Sequence, residues 1–163
     1  MVYIKHTDQE KLSVAQFSET VCDDLKQQLA AMHSARWFHR SKINSRPTTE
    51  GIEASYDFLG DRQQPKEFSA KLRALAPKYP GYFLTEIIIN RYMPGDWMPE
   101  HIDIQNYRKN LVVPLCEDGD GVTIEGVFYP DVLGEGVCFS ECSVPHAVPQ
   151  VKSLRYVAIF LYE

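Results

Sequence analysis

Apolar residues at Val14, Phe17, Val21, Leu25 and Leu29 recur at three- and four-residue steps, which places them on one side of a helix. Ser13 and Gln16 have the spacing of a capping box ahead of that run, so residues 13–32 are predicted to be an amphipathic helix. A second helix is predicted over 65–76, where proline suits the first turn, Phe68, Leu72 and Leu75 share a side, and Pro77 ends the pattern. The segment between them, 33–64, is given no assignment. From Tyr82 onward the texture changes to short runs of Ile, Val, Phe and Tyr cut by Pro-Gly, Glu-Asp-Gly-Asp-Gly and Gly-Glu-Gly turns. Strands are predicted at 83–92, 98–104, 110–116, 121–128, 136–140, 144–149 and 153–162, too closely spaced for crossover helices. The pattern predicts a mainly β (α+β) chain, a sandwich or a jelly roll, with the helices packed on an outer sheet face.

At 163 residues, 44% apolar and 24% charged, the chain is predicted to be one domain over 1–163, with 1–81 mainly helical support and 82–163 the β core. The first residues lack an apolar signal region and no run has membrane-span length, which predicts a soluble, intracellular, cytoplasmic protein. Cys22, Cys116, Cys138 and Cys142 form no CxxC, so buried thiols are expected. A zinc site at Cys138, Cys142 and His146 has an unfamiliar spacing and no evident fourth ligand. A net charge of −5 argues against general polyanion binding. Two runs stand out: the acids Glu117, Asp118, Asp120, Glu125, Asp131, Glu135 and Glu141, and the basic stretch 33–46 with Arg36, Arg40, Lys42, Arg46, Trp37 and Phe38. Both have the bias of solvated surface.

Candidate chemistry lies in the β half. His101 and Asp103, two apart on a predicted strand, project from one face and can chelate one ion. HxD alone is weak, and His6-x-Asp8 repeats it near the start. With His146 on a later strand, however, two imidazoles and a carboxylate can occupy one face of an octahedral iron(II), leaving positions for a chelating co-substrate and dioxygen. Arg155 shares strand parity with Val157, Ile159 and Leu161, so its guanidinium should enter an apolar interior. A buried arginine needs an anion, and two are conceivable: the far carboxylate of a keto acid, gripped by the planar fork, or an internal Asp or Glu. His6, His33 and His39 read as surface or hydrogen-bonded residues.

The string Asn90-Arg91-Tyr92-Met93-Pro94-Gly95-Asp96-Trp97-Met98-Pro99-Glu100-His101-Ile102-Asp103, then Phe139, His146 and Arg155, resembles the iron(II)/2-oxoglutarate-dependent dioxygenase superfamily over roughly residues 82–163. The step from His146 to Arg155 resembles the prolyl hydroxylases. The run Arg108-Lys109-Asn110-Leu111-Val112-Val113-Pro114 resembles the aspartyl/asparaginyl β-hydroxylases, although Asp103 and Asn110 depart from that family's pattern. The resemblance implies a double-stranded β-helix, with His101, Asp103 and His146 holding Fe(II). It also implies 2-oxoglutarate and O2 as co-substrates, with Arg155 on the far carboxylate, Tyr92 a hydroxyl partner, and Arg108 and Asn110 as second contacts. Gly95 is expected to serve a turn and Trp97 to pack near the entrance. An acidic flank at the mouth would favour a neutral or basic protein or peptide side chain as substrate. A small metabolite, or nucleic acid gripped by 33–46, is the alternative; a non-catalytic jelly-roll metal- or partner-binding module is the alternative of another class. No membrane partner is expected.

Overall fold

The structure is a computed structural model that describes residues 17–46, 50–140 and 143–163. Along the chain α1 (Glu19–Ala30) and a short 3-10 turn (Ser34–Arg36) precede β1 (Phe38–Ile43) and β2 (Ile52–Leu59). Then come α2 (Lys66–Leu75), β3 (Leu84–Tyr92), β4 (Met98–His101), β5 (Lys109–Pro114), β6 (Gly121–Ile124), β7 (Val127–Pro130), β8 (Val137–Ser140), β9 (His146–Val148) and β10 (Arg155–Tyr162). The strands form a six-stranded sheet in the order β1-β2-β3-β10-β5-β8 and a four-stranded sheet in the order β4-β9-β6-β7. All the pairings are antiparallel. This is the predicted mainly β, jelly-roll architecture.

Alternation along the central strands explains how two cores form. On β3 and β10, Ile87, Ile89, Tyr156, Ala158, Phe160 and Tyr162 face outward onto Leu25, Leu29, Phe68 and Leu72 of the helices. The intervening Ile88, Tyr92, Val157 and Leu161 face the second sheet, meeting Val122, Ile124 and Val148. A period of two thus sends one strand's side chains to both cores. Each fully buried aliphatic side chain contributes about 1.5–3 kcal/mol, so the helices hold the large sheet by their apolar stripes.

The predicted helices and strands recur with several differences. The proposed cap at Ser13 and Gln16 lies outside the described residues; among those described, the Ser18 hydroxyl accepts from Val21 N–H at 3.3 Å and caps α1. The unassigned segment supplies β1 and β2, which extend the large sheet, so the described part of 1–81 adds two strands to the helices expected there. The predicted strand 121–128 is a hairpin, because Glu125 and Gly126 turn the chain at φ 48° and 79°. The predicted strand 98–104 stops at His101 because Ile102 leaves the ladder: its N–H donates to Ser45 Oγ and its carbonyl accepts from Arg46 N–H, both at 3.1 Å. No described helix is long and apolar enough to cross a membrane.

Candidate metal centre

Pairing of β4 with β9 sets His101 directly opposite His146, and Asp103 lies two residues beyond the end of β4. Upstream, Gly95 turns the chain between β3 and β4 at φ 96°, and its N–H donates to Val151 carbonyl at 2.9 Å. The two imidazole centroids are 4.2 Å apart. Asp103 Oδ1 lies 3.3 Å from His101 Nε2, and Oδ2 lies 3.6 Å from His146 Nε2. One potential ligand atom from each residue falls within 4.8 Å of the others.

Both rings are oriented from behind. His101 Nδ1 contacts Pro99 carbonyl at 2.8 Å and His146 Nδ1 contacts Val144 carbonyl at 2.9 Å. A carbonyl only accepts, so each Nδ1 carries the proton and each Nε2 presents its lone pair toward the carboxylate, as a metal requires. Burial depresses the pKa of His146 despite the nearby Asp103 charge, which keeps the ring neutral. For Asp103 burial acts upward, but the facing His101 and His146 rings and the Tyr107 hydroxyl together lower the pKa. Tyr107 Oη donates to Asp103 Oδ2, and Asn110 Nδ2 donates to Tyr107 Oη at 3.3 Å. Two imidazoles and a carboxylate converge here, and among the described residues no other His/Cys/Asp/Glu cluster has such geometry. The residues fit a divalent ion that accepts mixed nitrogen and oxygen ligands.

The triad opens onto a cavity of about 160 Å³ between the two sheets. Its walls include Tyr56, Asn90, Tyr92, Tyr107, Asn110, Arg155, Val157, Ile159 and Leu161. The predicted parity of Arg155 with the apolar residues of β10 is therefore observed. Arg155 is 2% exposed and its guanidinium lies 5.4 Å from the Tyr92 ring centroid. Tyr92 stacks on Tyr56 with centroids 5.7 Å apart, and its hydroxyl accepts from Asn90 Nδ2 at 3.4 Å. Of the two anions weighed for Arg155, the internal one is present. Asp131 accepts from Nε at 2.6 Å and from Nη2 at 2.9 Å, so the guanidinium already has a protein counter-ion. Burial acts to lower the Arg155 pKa, but those bonds and the Asp131 charge raise it and hold the group ionised. Nη1 remains buried without a partner, as do Asn90 Oδ1 and Asn110 Oδ1. Unsatisfied polar atoms on a cavity wall are where a polar ligand is expected.

Other predicted positions fall elsewhere. Arg108 does not line the cavity: its guanidinium sits 4.6 Å over the Tyr82 ring and faces Gly81 carbonyl, which corrects its expected co-substrate role. Trp97 is also outside the main cavity, its backbone bridging to Ser55. The zinc reading fails because Cys138 faces the helix-side core while His146 faces the metal cluster; Cys142 lies outside the described residues, as do His6 and Asp8. His33 caps the 3-10 turn and His39 pairs with Asp57 at 3.0 Å, the expected surface roles. None of the described acids in 117–141 lines the cavity, so the expected acidic mouth is corrected. Asp120 instead accepts from Lys152 and Ser153 N–H groups at 3.0 and 3.1 Å, and Asp131 lies behind Arg155. Tyr56, Asn90, Tyr107 and Asp131 were not singled out as site residues in the sequence; Asn90, sharing strand parity with Tyr92, and Tyr56, in the alternation of 52–58, carried a usable signal.

No protein-family model and no curated protein matches the chain. Solved structures do. A 2OG-Fe(II) oxygenase family oxidoreductase from Burkholderia pseudomallei superposes with TM-score 0.63 at 16% identity, covering 90% of this chain and 80% of the other. A viral collagen prolyl hydroxylase from Paramecium Bursaria Chlorella virus-1, in a 2OG complex, gives 0.56 at 16% identity, covering 90% and 91%. A Trichoplax adhaerens prolyl hydroxylase, in complex with a hypoxia inducible factor oxygen degradation domain peptide fragment, gives 0.57 at 12% identity, covering 88% and 77%. The chain has the fold of the 2-oxoglutarate and iron(II) oxygenases. Within that fold, the likeness extends to prolyl hydroxylase structures.

Proposed function

We propose that the protein is an Fe(II)- and 2-oxoglutarate-dependent dioxygenase that hydroxylates a protein or peptide side chain. The observation that carries this is the His101, Asp103 and His146 cluster opening onto a cavity that is also lined by Arg155, whose Nη1 has no partner. His101 Nε2, His146 Nε2 and an Asp103 carboxylate oxygen would hold the ion; Arg155 Nη1 donates to the far carboxylate of 2-oxoglutarate, with Tyr92 lining its path. Iron held here would supply activation of O2, one atom of which enters succinate as 2-oxoglutarate loses CO2 while the other enters a substrate C–H bond as hydroxyl. The chain's own contribution is orientation and exclusion of water: Val157, Ile159 and Leu161 wall the cavity with apolar surface, which confines the reaction.

A peptide suits the mouth better than a nucleic acid. Trp37 is buried beneath the Arg91 guanidinium, Arg36 donates to Gln63 carbonyl, and Arg46 donates to Ile104 carbonyl and the Asn106 side chain. The basic stretch is thus spent largely on structure. What it leaves beside the opening is β1, an edge strand exposed at its first five positions, to which an extended peptide can add. Arg40 on that strand lines the cavity and lies 4.7 Å over the Phe58 ring, which favours a target with a neighbouring acid over a basic one. The peptide-bound neighbour supports the same choice.

The test is 2-oxoglutarate turnover without substrate. Slow succinate formation that requires added Fe(II), and that Asp103→Ala abolishes, is expected. Succinate formation that is indifferent to Fe(II) or to Asp103→Ala contradicts the assignment and leaves a jelly-roll metal- or partner-binding module.

A further inference from the structure

Arg155 is held in an unusual way for a residue expected to grip a ligand. Its Nε and Nη2 form a side-on fork on the Asp131 carboxylate, both side chains almost wholly buried, at 2% and 5% exposure. Such a bidentate, charge-assisted pair adds geometric specificity as well as energy. Asp131 is itself anchored: its N–H donates to Asp120 carbonyl at 2.8 Å, while the Asp120 carboxylate ties down the Lys152–Ser153 turn that leads into β10. Arg155 lines the cavity and Asp131 does not, so the pair approaches the cavity guanidinium first, with Nη1 left unpartnered.

We propose that Asp131 is a positioning residue: by holding the Nε and Nη2 edge it fixes the guanidinium with Nη1 as its one donor to the cavity, and so sets how the far end of the keto acid is held. The inference rests on the iron and 2-oxoglutarate reading above. A ligand carboxylate cannot take the Nε and Nη2 edge without displacing a buried, anchored aspartate, and unpairing a buried charge is strongly unfavourable. It therefore meets Nη1 through one oxygen, at a site whose charge Asp131 has already neutralised. Were Asp131 merely a counter-ion, removing it would add positive charge beside an incoming dianion and tighten binding. As a positioning residue it keeps Nη1 aimed into the cavity, so its loss lets the guanidinium turn away and loosens binding, and the two accounts differ in sign.

The experiment measures dissociation constants for 2-oxoglutarate and for pyruvate, which lacks the far carboxylate, from the visible band of the anaerobic Fe(II) complex. Wild type is compared with Asp131→Asn. The expected result is weakening of 2-oxoglutarate by about tenfold, the size of one charge-assisted hydrogen bond, with pyruvate unchanged. Unchanged or tighter 2-oxoglutarate binding overturns the proposal, as does equal weakening of both ligands, which marks general damage. If the variant does not fold, wild type is titrated with the 5-methyl ester of 2-oxoglutarate, which keeps one carbonyl acceptor. A neutralised single-donor subsite loses less than about tenfold with the ester, because neutral and charged acceptors differ by about 1 kcal/mol; a greater loss overturns it. No band with either keto acid in iron-loaded wild type fails the co-substrate reading and this inference together. A band with an unaltered preference in Asp131→Asn fails this inference alone.

Discussion

At the scale of single residues, the proposed iron site depends on what stands behind the ligands as much as on the ligands. His101 and His146 each have one ring nitrogen occupied by a backbone carbonyl, and Asp103 is held by Tyr107, which Asn110 supports in turn. Tyr107→Phe keeps the ring and deletes the hydroxyl. Iron affinity should fall by about tenfold or more, the usual effect of losing a ligand's supporting hydrogen bond. Far-UV circular dichroism should be unchanged, and an unaltered iron affinity would show that the hydroxyl does not orient the carboxylate. Arg155→Ala should leave iron affinity intact while abolishing the preference for 2-oxoglutarate over pyruvate, measured by competition at fixed iron. The triad and Arg155 were legible because their chemistry is rare in apolar β sequence. Tyr107 and Asp131 were not. Tyr107 acts from an irregular loop where no period predicts direction, and Asp131 sits in a run of acids whose ordinary fate is solvent.

At the scale of elements, legibility followed burial. β3 and β10 are buried along most of their length and announced themselves as runs of Ile, Val and Phe. β1, exposed at its first five positions, gave no apolar alternation; β2 does alternate, with Ile52, Ala54, Tyr56 and Phe58 against Glu53, Ser55 and Asp57, but it follows a basic, polar stretch that hides it, although both strands belong to the large sheet. An edge strand bearing Arg40 and Lys42 is protected against misassociation by the same charges that hide it from a search for apolar periodicity. The join between α1 and the sheet is the most confined contact of this kind. Phe17 N–H donates to Gly134 carbonyl at 2.9 Å, and a Cβ on Gly134 would stand 2.1 Å from Phe17 carbonyl oxygen at a backbone φ of 72°. Gly134→Ala should therefore destabilise the fold by about 2 kcal/mol or more in urea denaturation. A change within experimental error would show that α1 can shift away from the sheet without loss.

For the whole molecule, the net charge of −5 proved less informative than where the charges sit. Asp120 and Asp131 are buried structural groups, and the cavity mouth carries Arg40, so the sign expected there from the sequence was reversed. Burial also governs the response to alkali. Tyr56 is pushed from 10.0 up to about 12, chiefly by burial beside the cavity. The folded state then keeps a proton that the unfolded state releases, so this contribution is complete below pH 10 and is lost as pH rises toward 12. Tyr56→Phe should flatten the fall in melting temperature over that window; an identical fall in both proteins would contradict the assignment. The central claim is that His101, Asp103 and His146 hold an iron which a keto acid chelates within reach of Arg155. Its most direct test is an anaerobic titration of Fe(II)-loaded protein with 2-oxoglutarate, followed by visible absorption in wild type and in Asp103→Ala. A saturable charge-transfer band in wild type that is lost in the variant is the result expected. Iron bound by wild type without any such band would contradict the account.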